Sequence, residues 1–191
     1  MKSQNIPRGA IYIPLPLIRQ PDEYSCGAGS LMSIGCHWSV GPVRIQDYKT
    51  ALGTNPINGT YHRDIVRYAR ELGLSARIQT DISRAQLQSI IARRIPVIIA
   101  FQAWAPDPVV YDDPNHNKDG HYAVCVGFDR KNNFYFMDPG LTGRYGVLSW
   151  RELDKRWHEH EDFEGAEAHQ HLGIIVQPRK RRPLKTALSI V

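Results

Sequence analysis

A loop that runs directly into an apolar segment constrains the fold of this chain more than any other stretch. The loop comprises residues 19–25, and Cys26 begins the segment that follows it. Leu31, Met32 and Ile34 have the spacing of a buried helix, and the small residues beside them allow close contact with a neighbouring element. The pattern predicts a buried helix that carries a cysteine in its first turn.

The position of Cys26 gives its thiol a particular chemistry. The positive end of a helix dipole favours the thiolate over the thiol. Asp22 or Ser25 is able to cap the exposed N–H groups of the same turn. A single cysteine is nevertheless more often a small buried apolar residue than a nucleophile. The interpretation of Cys26 therefore depends on which other reactive groups the chain brings to it.

Two apolar segments far downstream carry the groups that a thiol enzyme requires. Residues 120–129 have the pattern of a strand that begins with His121, and residues 134–140 contain a strand that ends at Asp138. The polar stretch between them predicts a hairpin turn and antiparallel pairing. Because the first strand starts where the second finishes, we expect His121 and Asp138 to lie side by side.

Gln20 adds an amide to this set. It lies six residues before Cys26, close enough for its side chain to point at whatever the sulfur attacks. A cysteine followed by a distant histidine and an aspartate, each at the boundary of an element, is the layout of thiol-dependent catalysis.

These motifs together resemble the bacteriocin-processing cysteine peptidases, the double-glycine-leader peptidases, and their stand-alone relatives. The resemblance rests on Gln-x5-Cys-Gly, Gly-His-Tyr-Ala-Val and Met-Asp-Pro-Gly and extends over about residues 14–160. It implies a papain-like α+β fold, in which an N-terminal helical part with the nucleophile helix packs on a mostly antiparallel sheet. It also implies that Cys26 is the nucleophile and His121 the general base and acid. Asp138 would then orient His121, and Gln20 would stabilise the oxyanion.

The expected activity is hydrolysis of a peptide bond in a peptide or protein substrate, without a cofactor or a metal. A deamidase or an acyltransferase would use the same residues and differ only in the leaving or entering group, which the sequence does not distinguish. A non-catalytic binding module would keep the papain-like scaffold, but it would need none of the four reactive residues.

The remaining elements follow from apolar periodicity and turn signals. Helices are predicted at residues 42–51, 62–72, 84–94 and 150–157, and further strands at 11–13, 75–79, 96–101, 145–149 and 172–176. In the first of these helices, Val43 is expected to face inward. Residues 102–120 are expected to form a long loop, which is either a wall of the substrate cleft or a structural excursion.

The charge of the chain is concentrated at its C-terminal end. The chain of 191 residues has a net charge of +5, and the five basic residues after residue 178 are enough to account for it. We expect one papain-like peptidase domain over residues 1–178 and a basic tail over residues 179–191. A tail of this kind suits an acidic partner or nucleic acid, but it does not indicate a nucleic-acid-binding domain.

Cysteine usage and the N-terminal residues bear on localisation. An odd number of cysteines without a secretory signal favours free thiols. The expected location is cytoplasmic, although export without a signal peptide is compatible with the sequence. Cys36 and Cys125 are expected to be buried and inert. No apolar run is long enough to predict a membrane span.

Two stretches invite a metal-site interpretation that their details do not support. Residues 113–124 superficially resemble a calcium loop, but Lys118 and Val124 occupy the positions that need glycine and glutamate. Residues 158–171 contain two His-x-His pairs, yet a polar segment with glycine separates the pairs. We expect an exposed acidic loop in this second stretch and no metal site in either.

Overall fold

Five α-helices and nine β-strands make up the described part of this computed structural model, which comprises residues 6–113, 115–160 and 168–179. The helices are α1 (Cys26–His37), α2 (Ile45–Leu52), α3 (His62–Glu71), α4 (Arg84–Ala92) and α5 (Trp150–Arg156). The strands are β1 (Ile11–Tyr12), β2 (Leu74–Gln79), β3 (Val97–Gln102), β4 (Gly120–Phe128), β5 (Asn133–Met137), β6 (Gly146–Ser149), β7 (His158–His160), β8 (Ala168–Gln170) and β9 (Gly173–Pro178). A short 3-10 helix, Pro108–Asp112, lies in the predicted long loop.

Seven of the strands form one sheet. Its order is β2-β9-β3-β4-β5-β6, and β1 pairs with the far end of β4. Each pairing in this sheet is antiparallel. β7 and β8 form a separate antiparallel pair. The architecture is therefore the α+β fold with a mostly antiparallel sheet that the sequence predicts.

The central strand β3 separates two apolar cores. All of its residues are buried, which explains its nearly unbroken apolar sequence. Because side chains alternate along a strand, Ile98 and Ala100 join the core shared with α1, α2 and α3, whereas Ile99 and Phe101 join the core shared with α4 and α5. Full burial of an isoleucine or a phenylalanine contributes about 1.5–3 kcal/mol, so both cores stabilise the sheet that carries the site.

The close approach of β1 to β4 depends on Gly127. A Cβ atom at this position would lie 2.5 Å from the Cβ of Tyr12 and 2.8 Å from the carbonyl oxygen of Ile11. Both distances are well inside van der Waals contact, so a larger residue would separate the two strands. The pairing directs the chain after β1 along the sheet toward Gln20.

The second helix begins later than its sequence pattern indicates. α2 starts at Ile45 with Arg44 as its N-cap residue, and Val43 is 83% exposed. The prediction that Val43 faces inward is therefore wrong. Val43 precedes the first helical turn, so the helical periodicity does not apply to it, whereas Tyr48 and Leu52 on the helix itself are buried.

The segment after α5 also differs from expectation. Where an exposed loop is predicted, β7 and β8 pair with each other. The side chain of His158 is buried, and its Nε2 lies 2.7 Å from the carbonyl oxygen of His116. Hydrogen bonds between β7 and β8 satisfy the backbone polar groups of these strands. The polar composition of the segment gives no sign of this strand pairing. Residues 161–167, which hold most of the acidic side chains, lie outside the described residues, as do residues 180–191 of the basic tail.

The three cysteines are free thiols. Cys125 is fully buried as predicted, but Cys36 is only half-buried because it lies at the end of α1 that leaves the core. In the ranges that the structure describes, no helix is long and apolar enough to cross a bilayer. Over those same ranges, no three His, Cys, Asp or Glu side chains are grouped so that they could hold a metal ion.

Candidate active site

Cys26 is the first residue of α1, and its side chain is nearly buried. Ser25, one of the two residues considered as a cap, occupies the N-cap position, but its hydroxyl makes no capping hydrogen bond with the described residues. The first turn of the helix contains no acidic residue. The positive end of the helix dipole at Cys26 is therefore not neutralised from within the helix.

Two contacts hold α1 against the sheet beside the histidine. Ser30 Oγ donates a hydrogen bond to the carbonyl oxygen of Tyr122 at 3.3 Å. Tyr122 is the residue that follows His121. A Cβ on Gly29 would lie 3.0 Å from the Cβ of Pro139, so glycine at this position favours the close approach. These contacts bring the start of α1 to the end of the sheet at which β4 begins and β5 ends.

His121 and Asp138 lie side by side at this end of the sheet. His121 is the second residue of β4, and Asp138 follows the last residue of β5. The Nε2–H group of His121 donates to Asp138 Oδ1 at 2.7 Å, and both side chains are buried. The antiparallel pairing of β4 with β5 accounts for the geometry that the hairpin pattern predicts.

The surroundings of His121 favour its charged form. Burial by itself would lower the pKa of the imidazole, but hydrogen bonds with Asp138 and with the Cys26 side chain outweigh burial and raise the pKa to about 10. Because Nε2 bonds to Asp138, Nδ1 is the nitrogen left for Cys26. The geometry thus suits a proton held on His121, between the side chains of Asp138 and Cys26.

A tryptophan outside the predicted set covers this pair. The ring of Trp104 is edge-on to the ring of His121, with 6.5 Å between the centroids. The Trp104 Nε1 atom lies 3.3 Å from the point that a Cβ on Gly140 would occupy. The backbone N–H of Gly140 in turn donates a hydrogen bond to Asp138 Oδ1 at 2.8 Å. Trp104 has a φ of 71°, which is uncommon for a bulky residue. No local sequence pattern points to this position, because the contact joins the segment after β3 to the loop after β5.

Gln20 lies next to the loop that follows β5. Its backbone N–H donates to the carbonyl oxygen of Pro139 at 2.9 Å. Its Nε2 donates one hydrogen to the carbonyl oxygen of Asp22 at 2.7 Å, and a primary amide has a second hydrogen to donate. Within the described ranges, no hydrogen bond joins the Gln20 side chain to Cys26. The structure therefore brings Gln20 to the site region, with its amide held by Asp22.

Cys26 and His121 line a cleft of about 280 Å³. Its walls come from residues 23–24, 56–61, 117–118 and 120–122, together with Glu159. The C-terminal part of the long loop before β4 thus contributes to the cleft, in agreement with the first of the two roles considered for that loop.

Two glycines let the walls approach the reactive side chains closely. A Cβ on Gly27, next to the cysteine, would lie 2.8 Å from the Cβ of Thr60. A Cβ on Gly120, next to the histidine, would lie 2.8 Å from Glu159 Oε1. Thr60 is buried, and its hydroxyl lies 2.7 Å from that of Thr54, so this wall is fixed. Sequence reasoning misses both walls because each is formed by residues distant along the chain.

Known proteins share this architecture. The family model described as the Peptidase C39-like family matches residues 12–162. One similar structure is a double glycine motif protease from an AMS/PCAT transporter in complex with the leader peptide; it is 20% identical, with a TM-score of 0.62 over 90% of this chain and 95% of that chain. Another is the peptidase domain of Streptococcus ComA, a bi-functional ABC transporter involved in a quorum sensing pathway; it is 20% identical, with a TM-score of 0.63 over 87% of this chain and 100% of that chain. None of the curated proteins matches the sequence with significant similarity.

The structures and the family model support different conclusions. At 20% identity the structural neighbours show the fold, which confirms the predicted papain-like α+β architecture. The family model covers most of the chain and confirms the resemblance drawn from the cysteine, histidine and aspartate motifs. The chain therefore belongs to the C39-like family of cysteine peptidases.

Proposed function

We propose that the protein hydrolyses a peptide bond with Cys26 as the nucleophile, His121 as the general base and acid, and Asp138 as the residue that orients His121. The observation that carries this proposal is the row of interacting side chains from Cys26 through His121 to Asp138, with a distance of 2.7 Å between His121 Nε2 and Asp138 Oδ1. The row ends in the cleft, where a substrate could reach the sulfur.

The reaction would start from a thiolate and an imidazolium. The Cys26 thiolate attacks the carbonyl carbon, a C–S bond forms, and the carbonyl oxygen becomes an oxyanion. His121 Nδ1 gives its proton to the leaving amine as the C–N bond breaks, which leaves a thioester on Cys26. His121 then takes a proton from water, the water oxygen attacks the thioester, and the C–S bond breaks to regenerate the thiolate. Asp138 keeps Nδ1 directed at the sulfur throughout.

Two N–H groups would stabilise the oxyanion in this scheme. One is the second hydrogen of Gln20 Nε2, since the first is bonded to the carbonyl of Asp22. The other is the backbone N–H of Cys26, in the first turn of α1, where the amides have no acceptor within the helix. A donor of this type typically lowers the barrier by about 3 kcal/mol.

Replacement of Gln20 by alanine is expected to reduce kcat by about 10²–10³-fold with little change in KM, because the donor acts mainly in the transition state. Steady-state kinetics on a fluorogenic peptide amide ending in Gly-Gly measure both constants. Gln79→Ala, on the edge strand β2, is the matched control and should behave like the unmodified enzyme. A raised KM with an unchanged kcat would instead assign Gln20 to substrate binding.

The proposed substrate is a peptide with small residues at the scissile bond. The close approach of Thr60 to Gly27 and of Glu159 to Gly120 supports this choice, because it leaves little room beside the reactive pair. A structural neighbour that binds a leader peptide supports a peptide rather than another amide.

Incubation of the protein with a peptide library, followed by mass spectrometry of the products, tests the proposal. We expect new peptide termini with small residues before the cleaved bond, and acyl groups trapped on Cys26 at short times. Deamidated glutamine in the products would assign a deamidase activity to the protein. Transfer of an acyl group to an added amine, without new peptide termini, would assign an acyltransferase activity. A library that is bound but unchanged would identify a binding module.

A further inference from the structure

A nearly buried lysine contacts the loop of residues 19–25, which precedes the proposed nucleophile Cys26. Lys49 is on α2, and only 11% of its side chain is exposed. Its neighbours Tyr48 and Leu52 belong to the apolar core. Removing an ammonium group from water is costly unless it is paired and hydrogen-bonded. The position of Lys49 therefore requires a compensating partner, and the catalytic scheme does not use it.

Within the described residues, the hydrogen-bond partners of the Lys49 ammonium group lie in the loop of residues 19–25. Its Nζ lies 2.5 Å from Asp22 Oδ2 and 3.3 Å from the hydroxyl of Tyr24. The same Nζ lies 4.5 Å from the centroid of the Tyr24 ring, within the range of a cation–π contact. One ammonium group thus holds two residues of a loop that otherwise has no regular secondary structure.

Asp22 connects this lysine to the proposed oxyanion donor. Its carboxylate pairs with Lys49, and its backbone carbonyl accepts the hydrogen bond from Gln20 Nε2 at 2.7 Å. The direction of the second Gln20 hydrogen depends on where that carbonyl lies, because the amide group is planar. A shift of the loop would therefore turn the Gln20 amide.

We propose that Lys49 is a positioning residue for the oxyanion site: by holding the Asp22 carboxylate, it fixes the Asp22 carbonyl that orients the amide of Gln20. This inference rests on the proposed role of Gln20 in peptide hydrolysis. Lys49 does not touch the substrate in this scheme; it acts through the loop.

The charges of the pair support this role. The hydrogen bond to Asp22 raises the pKa of Lys49. Burial alone would raise the pKa of Asp22, but the hydrogen bond and the positive charge of Lys49 outweigh burial and lower that pKa. Both groups therefore stay ionised at neutral pH, and the Asp22 carboxylate is neutralised close to the start of α1.

A mutant cycle on the fluorogenic peptide amide ending in Gly-Gly tests the inference. We expect Lys49→Met to reduce kcat by about tenfold to a hundredfold with little change in KM, since displacement of a catalytic group by about 1 Å has effects of this size. If Lys49 acts through Gln20, then Gln20→Ala combined with Lys49→Met should be no slower than Gln20→Ala alone. Lys131→Met, in the exposed turn between β4 and β5, is the matched control and should leave kcat unchanged.

Two further measurements separate positioning from a general structural role. Alkylation of Cys26 does not use an oxyanion donor, so its rate should be unchanged in the double variant Asp22→Asn with Lys49→Met, which leaves no unpaired charge near the start of α1. The side-chain amide signals of Gln20, assigned in an ¹⁵N-resolved NMR spectrum by their loss in Gln20→Ala, should move in Lys49→Met and not in Lys131→Met. Should Lys49→Met fail to fold, Asp22→Asn with Lys49→Met removes the unpaired charge and allows the same readouts.

The results distinguish this inference from the proposed function. Full turnover in Gln20→Ala would refute the oxyanion role and the inference with it. Slow turnover in Gln20→Ala together with normal turnover in Lys49→Met would overturn the inference alone. Additive losses in the double variant, or unmoved Gln20 signals, would also overturn it, because Lys49 would then act independently of Gln20.

Discussion

Replacement of Cys26 by alanine is expected to abolish peptide hydrolysis, with a loss of at least about 10⁴-fold in kcat, because no other group can form the thioester. The fold should persist, since Cys26 is a small residue at the edge of the cleft and alanine has a high helix propensity. Product formation from the fluorogenic peptide and the circular dichroism spectrum measure the two effects separately.

Cys36→Ala is the matched control for this change. Cys36 lies in the same helix, is half-buried and does not line the cleft, so its variant should keep full turnover. Mass spectrometry after brief treatment with a thiol reagent should find the label on Cys26 in both the unmodified enzyme and Cys36→Ala. Turnover that survives in Cys26→Ala would refute the assignment of the nucleophile.

Replacement of Asp138 by asparagine is expected to move the alkaline limb of the kcat/KM profile to lower pH by about 1–3 units, the usual effect of an adjacent opposite charge. In the folded enzyme, Asp138 and Cys26 together raise the pKa of His121 to about 10. The imidazolium that would protonate the leaving amine in the proposed mechanism is therefore present at neutral pH and is lost as the pH rises through about 10. Asparagine keeps a hydrogen-bond acceptor but removes the charge, so the imidazolium is lost earlier.

The raised pKa of His121 also makes the free energy of unfolding depend on pH. The pKa of His121 is raised above its value of about 6.5 in an unfolded chain. The stabilisation is fully present below that value and declines as the pH rises toward the folded-state pKa. Thermal unfolding as a function of pH should show this decline in the unmodified enzyme and a smaller one in Asp138→Asn. Asp112→Asn is the control, because it removes a carboxylate of an exposed ion pair with Lys155; its pH dependence of unfolding should match that of the unmodified enzyme. An alkaline limb that does not move would show that Asp138 does not act on His121.

Much of the candidate site could be predicted because its parts are locally encoded. The polar turn between two apolar strands makes them antiparallel neighbours, which is enough to bring His121 and Asp138 together. The apolar spacing after Cys26 marks a buried helix, and the structure starts α1 at that residue. Val43 shows the limit of such periodicity. The helix is predicted to start at residue 42 but starts at Ile45, so a side chain that is predicted to face inward is 83% exposed.

Other parts of the site depend on contacts between distant segments. Trp104 reaches the His121–Asp138 pair only because β3 lies beside β4 in the sheet. Thr60 approaches Gly27, and Glu159 approaches Gly120, from segments that no local pattern relates to the reactive residues. Each of these side chains is ordinary in the sequence and acquires a role only through its neighbours.

The sequence by itself determined the order of the candidate catalytic residues, the elements that carry them and the family to which the chain belongs. It could do so because helix starts, strand alternation and turns are set by residues close together along the chain. Only the tertiary structure decided how the site is supported: the pairing of Lys49 with Asp22, the covering of His121 by Trp104, and the narrow walls beside the cysteine. The physical reason is that burial, ion pairing and steric approach depend on the packing of distant segments, and this packing exists only when the whole chain has folded.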